Sequence, residues 1–237
     1  MSQPFQFKQF SVAQDQCAMK IGTDGVLLGA WTSVKHHPSN ILDIGTGTGV
    51  IALQMAQRSQ AEAIDAIEID DQAYEQCVFN FENSPWGDRL FCYHASIQEF
   101  ISEIDDQYDL IISNPPFYSE DYKTQSTARN TARFMDALPL EHLAISAAHL
   151  LSENGIFSVI LPAKEEVRFT ALASENGLFP QQICHVRGTE NSPIKRVLLA
   201  FSFSKKEPVR ETLTIETERH VYTPAYIALT EDFYLNM

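Results

Sequence analysis

Residues 112–120, ISNPPFYSE, end an apolar run on an Asn, two prolines and two aromatics. Pro115 and Pro116 lack the N–H that a strand ladder needs, and each pushes its predecessor out of the helical region, so Asn114 and Pro115 are held extended. The Asn114 amide is then presented beyond the strand instead of packing. An Asn-Pro step is also a common turn opener after a strand, and the stretch alone does not separate the two readings.

A second cluster lies upstream, where LDIGTGTGV puts Gly45, Thr46, Gly47 and Gly49 directly after the apolar run NILDI. A dinucleotide fingerprint needs its third glycine at position 50, which is Val50, so the pattern is G-x-G-x-G and tells against NAD. Glycines in a strand-to-helix turn let the backbone approach a ligand, and the helix N-terminus behind them favours a carboxylate or another anion. A tight turn with no ligand uses the same residues. The acid expected roughly 20 residues on, to accept hydrogen bonds from ribose hydroxyls, is supplied by IEIDD. Glu68 stands at the strand tip with Ile69 beside it, whereas Asp70 suits the cap of the following helix. Asp43, just before the glycines, either reaches the charged end of a ligand or fixes the turn.

Short apolar runs alternate with amphipathic stretches from residue 40 onward, as in βαβ units on a parallel sheet. The expected strands are 40–44, 63–69, 90–94, 108–113, 155–161, 178–186 and 195–203, with helices near 49–59, 71–83, 139–151 and 163–176. The last two strands are separated by too few residues for a crossover, which predicts an antiparallel terminal pair. Thr23-Asp24 reads as a helix cap before Val26, Leu27 and Leu28. The long polar connection 119–138 has the length of a functional or disordered loop. The tail, YTPAYIALTEDFYLN, carries enough aromatics to pack back on the body, and Trp31 and Trp86 read as packing residues.

Composition limits the rest. The 44% hydrophobic and 20% charged content of the 237 residues is that of an ordinary soluble globular protein. No apolar run reaches the roughly 20 residues of a membrane span, and the start lacks a signal-peptide pattern, so a cytoplasmic protein is expected. Cys17, Cys77, Cys92 and Cys184 form no CxxC pair and have no His at ligand spacing; reduced cysteines and no metal are expected. The net charge of −14 disfavours general polyanion binding, so any nucleic-acid function needs local basic patches.

The order LDIGTGTG, IEID, ISNPPF resembles the class I S-adenosylmethionine-dependent methyltransferases, and NPPF resembles their amino-group variety. With FKQFSVAQDQCAMKIGTDGVLLGAW in front and YTPAYIALTEDFYLN behind, nearly the whole chain is similar to the bacterial tRNA(Val) adenine-N6-methyltransferase family, which modifies the adenine beside the anticodon. The resemblance implies an α/β fold: a Rossmann-like, seven-stranded, mostly parallel sheet flanked by helices, its last strand antiparallel. It implies a single domain over 1–237, with 1–35 covering the cofactor, 36–205 as core and 206–237 as an extension packed on it. S-adenosylmethionine is the implied cofactor, tRNA the implied partner, and a monomer the expected form.

In that setting Asn114 and Pro115 offer two carbonyls to the hydrogens of an adenine N6, Pro116 stiffens the corner and Phe117 gives a face for the extruded base. Lys20, Thr23 and Asp24 resemble the family's cofactor-covering segment, although a capped helix with a snorkelling lysine reads equally well. The pattern departs at Ser96, where many relatives carry an Asp that bonds the cofactor's adenine amino group; the Ile97 backbone is the substitute. Tyr118, Lys123, Arg129 and Arg133 follow the corner, and His185, Arg187, Lys195 and Arg196 flank the last two core strands, as an RNA-backbone track.

Other readings stay open on these residues. A release-factor-type glutamine methyltransferase shares Asn-Pro-Pro-aromatic but usually has Tyr in place of Phe117 and a helical N-terminal domain. A ribosomal RNA guanine-N2 methyltransferase is compatible with NPPF, and a silent binding module is the non-enzymatic alternative.

Overall fold

The computed structural model of the chain describes residues 3–116 and 138–236. The expectations for Phe117, Tyr118, Lys123, Arg129 and Arg133 therefore lie outside the described residues. A two-stranded ribbon, β1 (Phe5–Gln6) with β2 (Ser11–Val12), opens the chain and leads to helix α1 (Thr23–Trp31). The βα alternation then runs β3 (Asn40–Ile44), α2 (Val50–Arg58), β4 (Ala63–Glu68), α3 (Asp71–Glu82), β5 (Leu90–His94), α4 (Ile97–Glu103) and β6 (Tyr108–Ser113). It continues with α5 (Leu140–Leu150), β7 (Leu151–Pro162), a 3-10 turn (Ala163–Glu165), α6 (Glu166–Glu175), β8 (Phe179–Arg187) and β9 (Arg196–Ser202). β10 (Val209–Thr214), the short pair β11 (Glu216–Glu218) and β12 (Val221–Tyr222), and α7 (Pro224–Thr230) complete it.

The central sheet has the order β10-β8-β9-β7-β6-β3-β4-β5. All seven expected strands are present, and β9 runs antiparallel to both β7 and β8, as the short spacer requires. An eighth strand corrects the count: β10 adds in parallel to the outer edge of β8. Sequence pattern concealed it, because Val209–Thr214 is mostly exposed and carries no apolar run.

Both faces of the sheet are covered. Side chains alternate across β3, so Ile41 packs under α1, α2 and α3, while Leu42 and Ile44 pack under α4, α5 and α6. α1 is buried from Gly25 to Ala30 and begins at N-cap Gly22, which makes no side-chain cap bond; the Thr23-Asp24 cap expected from sequence is not formed. The tail does pack back: α7 buries Tyr226, and Phe233 follows it into the same core.

α2 starts from Gly49 in a left-handed conformation, φ 79°. A Cβ there would lie 2.6 Å from Phe81 Cε1 and 3.0 Å from Cys77 Sγ, so the turn and α3 touch through a missing side chain. Gly49→Ala is expected to cost about 2–4 kcal/mol from overpacking plus left-handed strain, read as a lower urea midpoint at unchanged m-value. An unchanged midpoint would mean that α3 yields freely.

Candidate active site

β3 and β6 lie side by side and parallel, with Ile44 opposite Ser113. Sheet order reverses here: β4 and β5 continue on one side of β3, β7 on the far side of β6. Two chains leaving such a switch point in opposite directions open a crevice at the carboxyl ends of the strands. The Ser113 hydroxyl donates to the Ile44 carbonyl at 2.9 Å, so the two strand ends are locked together just before they diverge. Gly45 and Asn114 are consequently neighbours at the crevice mouth. Asn114 is half-buried and Pro115 buried. A Cβ on Gly25 would sit 3.7 Å from Asn114 Nδ2, so the first turn of α1 forms the facing wall.

The glycine turn is held mainly by its own backbone. The Gly45 and Thr46 N–H groups donate to Ile67 O at 3.0 and 3.1 Å, and Gly49 N–H to Thr46 O at 3.0 Å. Glu68 closes the turn against β4: its carboxylate accepts from Gly47 N–H at 2.8 Å and from the Ile69 and Asp70 N–H groups at 2.9 Å each. Ile69 is half-exposed beside it. Asp70 caps α3 through Ala73 N–H at 2.9 Å, as read from sequence.

Asp43 is fully buried beneath this turn. Its Oδ2 accepts from the Thr46 hydroxyl at 2.6 Å, so the Thr46 side chain points inward and only its main chain faces the crevice. Asp43 Oδ1 has no hydrogen-bond partner among the described residues. Burial pushes the carboxyl up to about 7, more than the Thr46 hydroxyl and the Ala52 N–H can draw it back. Above Gly45 and Gly47, at φ 71° and 56°, a Cβ would meet nothing within 4 Å. Open space over two glycines with an under-bonded acid below them fits a ligand bearing positive charge, and the S-adenosylmethionine expected from sequence is one.

Other expected residues have different employment. Ser96 is the N-cap of α4 in a capping box: its hydroxyl donates to Glu99 Oε2 at 2.7 Å and accepts from Glu99 N–H at 3.2 Å. The Ser96 hydroxyl is thus engaged in the cap; the Ile97 side chain is in the core, and its N–H, at the first helical position, has no intrahelical acceptor. Lys20 and Thr23 are exposed, while Asp24 accepts from Arg196 Nε at 2.7 Å, tying α1 to β9.

Three of the four described residues of the expected basic track have acidic partners within the protein. His185 Nε2 lies 2.6 Å from Glu166 Oε2. Arg187 donates to Thr214 Oγ1 at 2.9 Å and to Glu190 O at 2.8 Å, and pairs with the Glu190 carboxylate. Arg196 is held by Asp24, which leaves Lys195 as the exposed cation of the four. Among the described residues, no group of three or more His, Cys, Asp or Glu could hold a metal, and no helix is long and apolar enough to cross a membrane.

Three residues at the site escaped the sequence reading. Gly25 faces Asn114, and Gln76 and Asn80 lie on the buried face of α3 beside Ala73 and Cys77. Two amides four apart in an otherwise apolar stripe were the available signal.

Residues 21–172 match the methyltransferase small domain family. The chain belongs to this family. It is 61% identical over 238 residues to a protein of Christiangramia forsetii, covering 100% of this chain and 99% of that one. It is 62% identical over 234 residues to one of Flavobacterium johnsoniae (98% and 100% covered) and 46% identical over 233 residues to one of Trichodesmium erythraeum (98% and 97%). All three relatives are named tRNA1(Val) (adenine(37)-N6)-methyltransferase. Among solved structures, a predicted O-methyltransferase of Agrobacterium tumefaciens superposes with a TM-score of 0.70 at 18% identity, over 89% of this chain and 96% of that one. The ribosomal protein L11 methylase of Lactobacillus delbrueckii gives 0.52 at 17% identity, over 77% of each. At these identities the likeness carries the class I methyltransferase fold.

The buried acid makes this methyltransferase's stability pH-dependent. A folded-state value near 7, against about 4 in the unfolded chain, means that folding holds a proton which must be given up as pH rises. Stability from this group is full below pH 4 and is lost as pH climbs through 7. Asp43→Asn is expected to shrink the loss in unfolding free energy between pH 6 and pH 8 by about 1–2 kcal/mol, measured by urea titration at both pH values. A slope equal to the parent's would assign the charge state wrongly.

Proposed function

We propose that the protein, a cytoplasmic monomer, methylates N6 of adenine 37 in tRNA1(Val) with S-adenosylmethionine as donor, the activity named for its relatives. The observation that carries the reading is the placement of Asn114 and Pro115 beside the glycine turn, across the β3–β6 switch point. When bound, the donor supplies a methyl group activated by sulfonium charge. Gly45, Gly47 and the Glu68 tip would hold its nucleoside and amino-acid parts, with Asp43 facing the positive end.

An adenine N6 is a weak nucleophile because its lone pair is delocalised into the ring, so alignment matters more than a strong base. The Asn114 side-chain carbonyl and the Pro115 backbone carbonyl accept the two N6 hydrogens, which turns the lone pair toward the glycine turn. As the new N–C bond forms, both carbonyls stabilise positive charge growing on N6. An amide is too weak a base to keep the displaced proton, so the proton passes to solvent. Two prolines in succession fix the angle between the carbonyls.

For RNA, the cations that follow Asn114 in the sequence, Lys123, Arg129 and Arg133, supply phosphate contacts, with Lys195 on the described rim. A few phosphate contacts give modest, salt-sensitive binding on a protein of charge −14.

Asn114→Ala is expected to lower kcat by at least about 100-fold while donor affinity, by calorimetry, stays within about threefold. The parent, incubated with labelled donor and separate pools of tRNA, ribosomal RNA, DNA and protein, is expected to yield N6-methyladenosine from tRNA by mass spectrometry. Label in glutamine or guanine, or full turnover by the Asn114 variant, would overturn the assignment.

A further inference from the structure

The segment between β2 and α1 is linked to the glycine turn through Asn80 and has no ladder to hold it. Among the described residues, no backbone–backbone hydrogen bond reaches residues 13–21. Its attachments come from two side chains on one face of α3. Asn80 grips Ala13 on both sides, its Oδ1 accepting from Ala13 N–H at 2.8 Å and its Nδ2 donating to Ala13 O at 2.9 Å. The other Nδ2 hydrogen goes to Thr48 O in the glycine turn, also at 2.9 Å. One turn earlier, Gln76 Oε1 accepts from the Gln16 and Cys17 N–H groups at 2.9 and 3.2 Å, and its Nε2 donates to Asp15 Oδ1 at 2.8 Å.

Gln76 and Asn80 are 3% and 2% exposed. A buried amide is costly unless bonded, and an apolar side chain would fill the same helix face with no such requirement. What the amides provide instead is direction: every bond they make ends on the segment or on the glycine turn. The segment's far end is fixed by the same logic. The Cys17 thiol is pushed up to about 12, chiefly by burial, and the charges of Glu68, Asp70 and Asp15 raise it further.

We propose that Gln76 and Asn80 are positioning residues for the donor: they seat residues 13–17 as a strap beside the glycine turn, so that the strap forms one wall of the donor pocket. This rests on the donor site assigned under Proposed function. Asn80, bonded to strap and turn at once, couples the two. Donor binding then tightens the strap, and loosening the strap weakens the donor without altering the Asn114 corner.

The test exchanges the partners of one bond. Gln76→Glu keeps the acceptor for the Gln16 and Cys17 N–H groups but sets a carboxylate against Asp15. Adding Asp15→Asn restores the bond with donor and acceptor reversed. Gln76→Glu is expected to weaken S-adenosylmethionine binding about tenfold by calorimetry and raise its KM in parallel, with kcat at saturation within about threefold; the double variant recovers parent affinity. Asp15→Ala, a surface change that spares the core, is expected to weaken binding by about threefold or more and to reduce hydrogen-exchange protection of residues 13–17 in the donor complex.

Parent-like affinity in Gln76→Glu and Asp15→Ala, or a loss in Gln76→Glu that the double variant does not recover, overturns the strap while leaving the donor site standing. A parent protein that fails to bind S-adenosylmethionine overturns both.

Discussion

Parallel pairing of β3 with β6 is the constraint on which the site depends. Its register sets Ile44 against Ser113, and a buried hydroxyl bond joins them at the last residue before the strands part. A glycine turn and an Asn-Pro-Pro corner are each ordinary pieces of chain. Their chemistry appears because the sheet delivers them from the same edge, one on each side of the switch point, at the spacing of adjacent strands. Everything outside β3 and β6 serves to keep that edge covered and aligned: α1 walls the corner, α3 supports the turn through the space left by Gly49, and β9 reaches α1 through Arg196 and Asp24.

Electrostatics around the turn divide into a satisfied acid and a frustrated one. Three backbone N–H groups offset much of the cost of placing the Glu68 carboxylate at the strand tip, so its position is fixed by the fold itself. Asp43 has the Thr46 hydroxyl and the weaker help of the Ala52 N–H, and burial raises its proton affinity beyond what they offset. A cation entering above it would favour the ionised form that burial disfavours. Perturbed buried acids of this kind gather where binding rather than folding is the purpose.

Sequence legibility followed how strongly each feature is written in local pattern. The buried strands were read closely because apolar runs bounded by turn residues leave few alternatives; 40–44, 90–94 and 108–113 coincide with β3, β5 and β6. β10 was missed for the opposite reason: an edge strand rich in exposed polar residues has no such signature. The capping box at Ser96 is written in the sequence as well, since its partner Glu99 stands three residues on. The expected cationic track shows the limit of counting charges, since His185 and Arg196 meet acids 19 and 172 residues away in sequence.

Stiffness is distributed unequally across the crevice, and the chemistry explains why. On the acceptor side two prolines and a buried strand end define the geometry, because carbonyls that must aim an amine lose their effect if they wander. On the donor side the wall is a coil anchored by side-chain amides, which can be released a bond at a time without unpicking the sheet. A group-transfer enzyme must admit a fresh donor and discharge a spent one at every turnover, whereas its aligning corner has no reason to move. Placing the compliant element beside the glycine turn and the rigid one at Asn114 meets both needs, and it does so with α3 as a common support, since the helix that seats the strap also packs against the turn through Cys77 and Phe81.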